Sequence, residues 1–174
     1  MVRAESCFDA EQNGDETGID CGGSCGACLG SACTTNNQCA QGVCSEQGVC
    51  VEKPIITAIS PNNGKIGTMV TISGANFGAR PGQVWFGGDV LARLPQRCTE
   101  LGTGWSDTAI VVEVPAGATT GPVRVKNVVS GLDDVSNDQS GPQAGVFTVN
   151  DRAYPGICAL TPDAGSISSA VRIV

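Results

Sequence analysis

The chain has 174 residues, of which 41% are hydrophobic, 16% charged and 4% aromatic, and it carries a net charge of −7. An acidic chain repels phosphate backbones, so we expect no nucleic-acid partner, and no apolar run approaches the ~18 residues that a membrane span needs. The chain contains no histidine. This absence removes the side chain most used for acid–base catalysis near neutral pH, and we therefore expect a non-enzymatic protein.

Cysteines are concentrated at the N-terminus, where eight of the ten lie between Cys7 and Cys50. We predict that residues 1–53 form a disulfide-rich module with a short linker, and that the chain is exported to an oxidising, extracellular or cell-surface environment. The first residues lack an apolar segment, so no signal peptide is expected within this chain. Cys25 and Cys28 have the spacing of zinc ligands, but an even set in a module too small for its own core favours disulfides.

We expect every cysteine to be oxidised: Cys7, Cys21, Cys25, Cys28, Cys33, Cys39, Cys44, Cys50, Cys98 and Cys158. Eight cysteines allow about a hundred pairings, and the sequence alone leaves them open. The near-symmetric spacing of the second half favours Cys33–Cys44 with Cys39–Cys50, and for the first half we predict Cys7–Cys25 with Cys21–Cys28. The two cysteines outside the module, Cys98 and Cys158, are predicted to pair with each other.

An acidic loop precedes the second cysteine and turns tightly at Gly14. Its oxygen-bearing side chains are Asp9, Asn13, Asp15, Glu16 and Asp20. Clustered oxygen ligands on a short loop can hold Ca²⁺, although the spacing is not that of an EF-hand. We predict a candidate calcium site here, with a solvated acidic loop as the alternative, and we expect no other cofactor.

Short segments rich in Val, Ile and Thr, separated by Gly and Pro turns, follow the module. We predict strands at 55–59, 68–73, 83–86, 90–94, 109–114, 122–128 and 147–149. Seven short strands in about 97 residues, with apolar and polar side chains alternating, predict an all-β immunoglobulin-like sandwich over 54–150. Trp85, Phe86 and Trp105 suggest a sugar-binding platform as an alternative use, but adjacent strand residues face opposite sides, so we expect either Trp85 or Phe86 in the core.

The remaining residues, 151–174, repeat the beginning of the sandwich. Residues 54–73 and 155–174 are identical at eight of twenty positions when offset by 101 residues. A period near 100 residues predicts a tandem array, in which the tail is the opening hairpin of a second unit. The alternative is an inter-subunit donor strand, because an exposed strand edge invites pairing with another chain.

Three motifs stand within the sandwich region: Pro61 and Gly64 in the first turn, Gly74-x-x-Phe77-Gly78, and Val114-Pro115-x-Gly117 with Gly121-x-Val123-x-Val125. Together they resemble the IPT/TIG family of immunoglobulin-like domains. The resemblance implies a sandwich whose glycines supply the turns and whose Phe77 plugs one end. The sequence departs from the family pattern by an insertion at 95–107, which carries Cys98 and Trp105.

Residues 7–50 carry Cys7-x-Asp9, Asp20-Cys21-Gly22-Gly23 and Cys25-x-x-Cys28, and they resemble a Cys-rich repeat of large secreted bacterial surface proteins. The two resemblances imply a structural module of an exported cell-surface protein or filament, and a carbohydrate-binding or adhesive module is the alternative. We expect its partners to be copies of itself or adjacent domains of a longer chain, with a glycan as the alternative ligand. The predicted interface residues of the tail are Ile157, Leu160, Ile167, Val171 and Ile173.

Overall fold

The structure, a computed structural model, describes residues 7–96, 98, 102, 104–137, 144–156, 160–161 and 172–173. The chain divides into two compact units, of which the first ends at Lys53 and the second begins at Pro54, apart from Ser130–Leu132, which groups with the first. Among the described residues no helix is long and apolar enough to cross a bilayer.

The N-terminal unit contains little regular structure. It has two single-turn 3₁₀ helices, Gly23–Cys25 and Asn36–Gln38, and one antiparallel pair of two-residue strands, β1 (Val43–Cys44) and β2 (Cys50–Val51). A capping box joins Thr35 and Gln38 at the second 3₁₀ helix. Few side chains are buried, and the buried ones include two cysteines, so cross-links rather than a hydrophobic core must hold this unit together.

The second unit is a β-sandwich. Its strands are β3 (Ile55–Ser60), β4 (Asn63–Gly64), β5 (Met69–Ala75), β6 (Gln83–Phe86), β7 (Val90–Leu91), β8 (Ala109–Glu113), β9 (Arg124–Lys126), β10 (Asp133–Val135) and β11 (Thr148–Val149). One sheet has the order β3-β5-β8 and the other β10-β9-β6-β7, and β11 pairs in parallel with β4 at one end. The predicted all-β, immunoglobulin-like fold is confirmed.

Side chains alternate as the sequence predicted. Ile110, Val112 and Val114 are buried while Glu113 is exposed, because successive strand residues point to opposite faces. Phe86 packs edge-on against Phe147, with ring centroids 5.2 Å apart. Phe77 is fully buried in the same core, as the family motif implied.

Gly74 allows two strands of the first sheet to approach closely. A β-carbon at this position would lie 1.9 Å from the Ile55 carbonyl oxygen. The neighbouring β3–β5 pairing contains a bulge between Ile56 and Ala58, where the register shifts by one residue. The first glycine of the Gly-x-x-Phe-Gly motif therefore lies within strand β5, where it serves close backbone packing rather than a turn.

Both open sides of the sandwich are closed by contacts between the sheets. On one side, the buried Asp134 of β10 accepts a hydrogen bond from the Ile56 backbone N–H of β3 at 2.8 Å. On the other side, Arg93 and Glu113 form an isolated antiparallel bridge between the β7 and β8 edges. These contacts leave the sandwich few free strand edges for pairing with other chains.

We expect Asp134→Ala to destabilise the sandwich by about 1–3 kcal/mol, because it leaves a buried backbone N–H without its acceptor. Asp134→Asn keeps an acceptor oxygen and should cost less. The neighbouring Asp133, whose side chain is 47% exposed, provides the control, since Asp133→Ala should be nearly neutral. Urea denaturation of the three variants measures this, and equal midpoints for Asp134→Ala and Asp133→Ala would count against the contact.

Candidate functional site

The disulfides of the N-terminal unit join the pairs that the sequence favoured. The four bonds are Cys7–Cys25, Cys21–Cys28, Cys33–Cys44 and Cys39–Cys50. The sulfur atoms of Cys33, Cys39 and Cys50 lie within 4.8 Å of one another, so the last two bridges pack together. No described cysteine is free, so none of them offers a thiolate to zinc.

Cys98 in the insertion is buried and disulfide-bonded. Its predicted partner, Cys158, lies outside the described residues, and the Cys98–Cys158 bond therefore stays a prediction. Such a bond would tie the 95–107 insertion to the beginning of the repeated tail.

The carboxylates of the acidic loop in the N-terminal unit accept hydrogen bonds from nearby N–H groups. Asp20 accepts from the backbone of Asp9 and Ala10, while Asp9 accepts from the backbone N–H of Glu11 and the side-chain amide of Asn13. Of the four predicted carboxylates, Glu16 alone belongs to a group of possible ligands among the described residues. Its partners are the sulfur atoms of Cys7 and Cys25, and the three ligand atoms lie within 4.8 Å of one another. The oxygen Asn13 Oδ1 is buried without a hydrogen-bond partner. The calcium site at Asp9, Asn13, Asp15, Glu16 and Asp20 stays a prediction.

Hydrogen bonds lower the pKa of Asp15 in this loop. The main cause is the Ser24 backbone N–H, which donates to the carboxylate at 3.0 Å, and the Ser24 hydroxyl adds a second bond at 2.9 Å. Because the folded pKa lies below the unfolded one, this contribution to stability is present above the unfolded pKa and is lost as pH falls through the folded pKa.

We expect Ser24→Ala to raise the pKa of Asp15 part of the way to its ordinary range, since the backbone donor remains. An NMR titration of the side-chain carboxyl carbons in both proteins measures the change. Asp9, for which Ser24 is not a partner, is the internal control. An unchanged Asp15 titration in the variant would show that the hydroxyl contributes nothing.

The outer face of the four-stranded sheet carries a row of side chains across all four strands. Leu91, Trp85, Arg124 and Val135 are successive partners in the strand register. The Arg124 guanidinium lies 4.4 Å from the centre of the Trp85 ring and forms ion pairs with Asp89 at 3.1 Å and Asp133 at 3.9 Å. One face of the indole is therefore already covered by a cation.

Trp105 does not belong to the sugar-binding platform considered from the sequence. Its indole N–H donates to the Gly78 carbonyl at 2.9 Å, and its ring lies against Gly82 and the core. Phe86 is buried, which leaves Trp85 as the aromatic residue of that trio on a sheet surface. The alternative platform is thus reduced to Trp85 and its polar neighbours.

A shallow groove of about 430 Å³ lies beside the Arg93–Glu113 bridge. Apolar side chains of Ile66, Leu91 and Pro115 line it together with the two charged residues of the bridge. No convergent set of buried polar groups stands in it, which is the feature that small-molecule sites use for orientation. This groove could not be predicted from the sequence, because its residues come from separate strands and loops.

The segment after β11, residues 150–156, runs along the first turn of the sandwich. Asn150 N–H donates to the Gly64 carbonyl, and Lys65 N–H donates to the Arg152 carbonyl at 3.0 Å. The Asn63 side-chain oxygen accepts from the Tyr154 hydroxyl at 2.9 Å and from the Asn150 side-chain amide at 3.3 Å. The chain that leads to the tail is therefore hydrogen-bonded to the domain it leaves.

Two further strands, β12 (Leu160–Thr161) and β13 (Arg172–Ile173), form an antiparallel pair in the tail. Leu160 pairs with Ile173. The residues 101 positions earlier, Ile59 and Ile72, pair in the same way in the sandwich. The sequence repeat is therefore also a repeat of strand register. Of the other predicted interface residues, Ile157, Ile167 and Val171 lie outside the described residues.

A two-sheet sandwich preceded by a disulfide-stapled unit is the architecture of a modular, immunoglobulin-like protein. The IPT/TIG domain family matches residues 54–149, and the chain belongs to this family. The predicted resemblance is confirmed, and the matched domain is a non-catalytic immunoglobulin-like fold.

The chain is similar to a cyclomaltodextrin glucanotransferase of Niallia circulans, with 36% identity over 80 residues, which is 46% of this chain and 10% of that protein. Among solved structures, it is similar to a gamma-CGTase of alkalophilic Bacillus clarkii, with 28% identity, a TM-score of 0.42 and coverage of 60% and 13% of the two chains. An auxiliary nutrient binding protein of Bacteroides thetaiotaomicron shares 20% identity, with a TM-score of 0.43 and coverage of 57% and 21%. The chain thus spans about a tenth of the length of its curated relative.

Proposed function

We propose that the chain is a non-catalytic structural module of an exported bacterial surface protein or extracellular filament, in which the sandwich is a rigid spacer. The disulfide-stapled unit is the observation that carries this proposal. Four bonds within 44 residues are maintained in oxidising surroundings and resist unfolding and proteolysis. The partners implied are neighbouring domains of a longer chain or further copies of this one.

The sandwich supports the same role through its closed edges. The Asp134–Ile56 bond and the Arg93–Glu113 bridge connect the two sheets on opposite sides. When the chain is pulled, the strand pairings of both sheets must then break together, and no single strand can separate first.

A carbohydrate-binding module is the second candidate. The observation in its favour is the row on the outer sheet face, where Trp85 is flanked by Arg124, Asp89 and Asp133, side chains that can hydrogen-bond sugar hydroxyls. The Niallia circulans relative is a cyclomaltodextrin glucanotransferase, and the matched stretch is a tenth of that enzyme. The stacking of Arg124 on the indole weighs against this candidate, because it occupies a ring face that a sugar would use.

A glycan-array screen of the whole oxidised chain decides between the two candidates. Trp85→Ala is the test variant, and Trp105→Ala, which alters an indole held inside the fold, is the matched control. The structural proposal predicts no saturable glycan binding that depends on Trp85. Saturable binding that Trp85→Ala abolishes and Trp105→Ala preserves would overturn the proposal in favour of the carbohydrate-binding module.

A further inference from the structure

We propose that residues 150–156, here called the connector, and residues 62–65, here called the docking segment, form a lock that holds the following IPT/TIG unit in a fixed orientation. The partner of this surface is the repeated tail that begins at Pro155, here called the second IPT/TIG unit. The inference rests on the proposed spacer function for its purpose. Its evidence is the set of contacts between the two segments.

The backbone contacts continue the parallel pairing of β4 and β11 beyond the end of the strands. Thr148 N–H donates to the Asn62 carbonyl, Asn150 N–H donates to the Gly64 carbonyl, and Lys65 N–H donates to the Arg152 carbonyl. A linker that serves only as a flexible joint would leave such groups to water. Here the backbone remains hydrogen-bonded as far as Arg152, three residues before Pro155.

The side-chain hydrogen bonds between the connector and the docking segment centre on the Asn63 amide. Asn63 Oδ1 accepts from both Tyr154 and Asn150, while its own Nδ2 donates to Asn62 Oδ1 at 2.9 Å. Asn150 Oδ1 in turn accepts from the Arg152 backbone N–H at 2.9 Å. Each amide thus uses its oxygen as acceptor and its nitrogen as donor, which fixes both orientations.

Packing extends the contact to Gly156, the second residue of the repeated tail. Gly156 lies so close to Met69 that a β-carbon at residue 156 would be 2.1 Å from the Met69 sulfur. The sandwich residue equivalent to Gly156 is Ile55, which has a large branched side chain. The glycine therefore replaces the repeat's isoleucine where the connector passes closely over β5.

The central amide of this lock is not repeated in the tail. With the offset of 101 residues, Asn63 corresponds to Ala164 and Tyr154 corresponds to Lys53. Ala164 offers no amide to a following connector. We therefore infer that the joint after the first IPT/TIG unit is specifically rigid, and that Asn63→Ala converts its docking segment to the second unit's chemistry at that position.

Backbone ¹⁵N relaxation of the whole chain tests the lock. In the unmodified protein, we expect order parameters of about 0.85 at Arg152, Tyr154 and Gly156, equal to those of the core strands. Tyr154→Phe, which removes only the hydroxyl donor, and Asn63→Ala should each lower them to about 0.6 or less. Lys65→Ala is the matched control, since Lys65 contributes its backbone N–H and keeps it.

Two results would overturn the lock: connector order parameters already near 0.6 in the unmodified protein, or no change in both variants. Unchanged order parameters in β5 and β8 show that the variants remain folded. Because Tyr154→Phe deletes a single peripheral oxygen, it keeps the test decisive even if Asn63→Ala disturbs the turn. A flexible connector would refute the lock without altering the glycan screen, and glycan binding would refute the spacer proposal without altering the relaxation data.

Discussion

Replacing Phe86 with alanine is expected to destabilise the sandwich by about 3–5 kcal/mol. Phe86 is 1% exposed and joins the four-stranded sheet to Phe147 through an edge-to-face contact. Its removal takes away both the buried apolar area and the ring contact, and it leaves a cavity that a two-sheet core cannot fill by collapse. We expect this to be among the largest effects of a single substitution in the sandwich.

Urea denaturation followed by tryptophan fluorescence measures the loss, because both tryptophans, Trp85 and Trp105, lie in the sandwich. Leu91→Ala provides the matched control on the same sheet. Leu91 is 49% exposed, so its truncation should cost less than about 1 kcal/mol. Equal midpoints for the two variants would contradict the assignment of Phe86 to the core.

The second large effect is expected from the Cys39–Cys50 bond. Cys50 is fully buried in a unit with almost no apolar core, and this bridge packs against the neighbouring Cys33–Cys44 bridge. Removing a native disulfide from so small a unit typically costs about 2–5 kcal/mol. We therefore expect the double variant Cys39→Ser with Cys50→Ser to unfold the second half of the module.

Digestion with a glutamate-specific protease reports this unfolding, because Glu46 lies within the stapled loop and Glu16 lies in the other half of the module. Cleavage after Glu46 should become fast in the double variant. The fluorescence midpoint of the sandwich should not change, since it lies in a separate unit. Persistent protection of Glu46 would show that something other than this bridge holds the module.

The sandwich could be predicted from the sequence because its strands alternate clearly. The segments around Val70, Val84 and Ile110 have apolar residues at every second position and sit between glycine or proline turns. The predicted strands 90–94 and 122–128 were too long, because β7 and β9 contain only two and three residues. The pattern of apolar residues continues past the point where the sheet pairing ends.

The strand β10 could not be predicted, because Asp133 and Asp134 are residues that strands normally disfavour. Asp134 is buried, and its carboxylate accepts a hydrogen bond from the Ile56 N–H of the other sheet, a contact that spans 78 residues of sequence. The hydrogen bonds between the connector and the docking segment could not be predicted from the sequence either. Asn63 looks like an ordinary turn residue, and its bonds to Tyr154 depend on a fold that brings residues 91 positions apart together.

The central claim is that the chain is a force-bearing spacer, and stretching single molecules from their two ends tests it most directly. With the disulfides intact, the Cys7–Cys25 and Cys33–Cys44 bonds, with sequence separations of 18 and 11 residues, keep those stretches of the module from extending. We also predict one cooperative event from the sandwich. If Cys98 and Cys158 are bonded, that event should release only residues 54–98, or about 150 Å. Reduction should then add about 100 Å from the module and about 200 Å from the Cys98–Cys158 loop. Gradual extension of the oxidised chain at low force, without a cooperative event, would contradict the account.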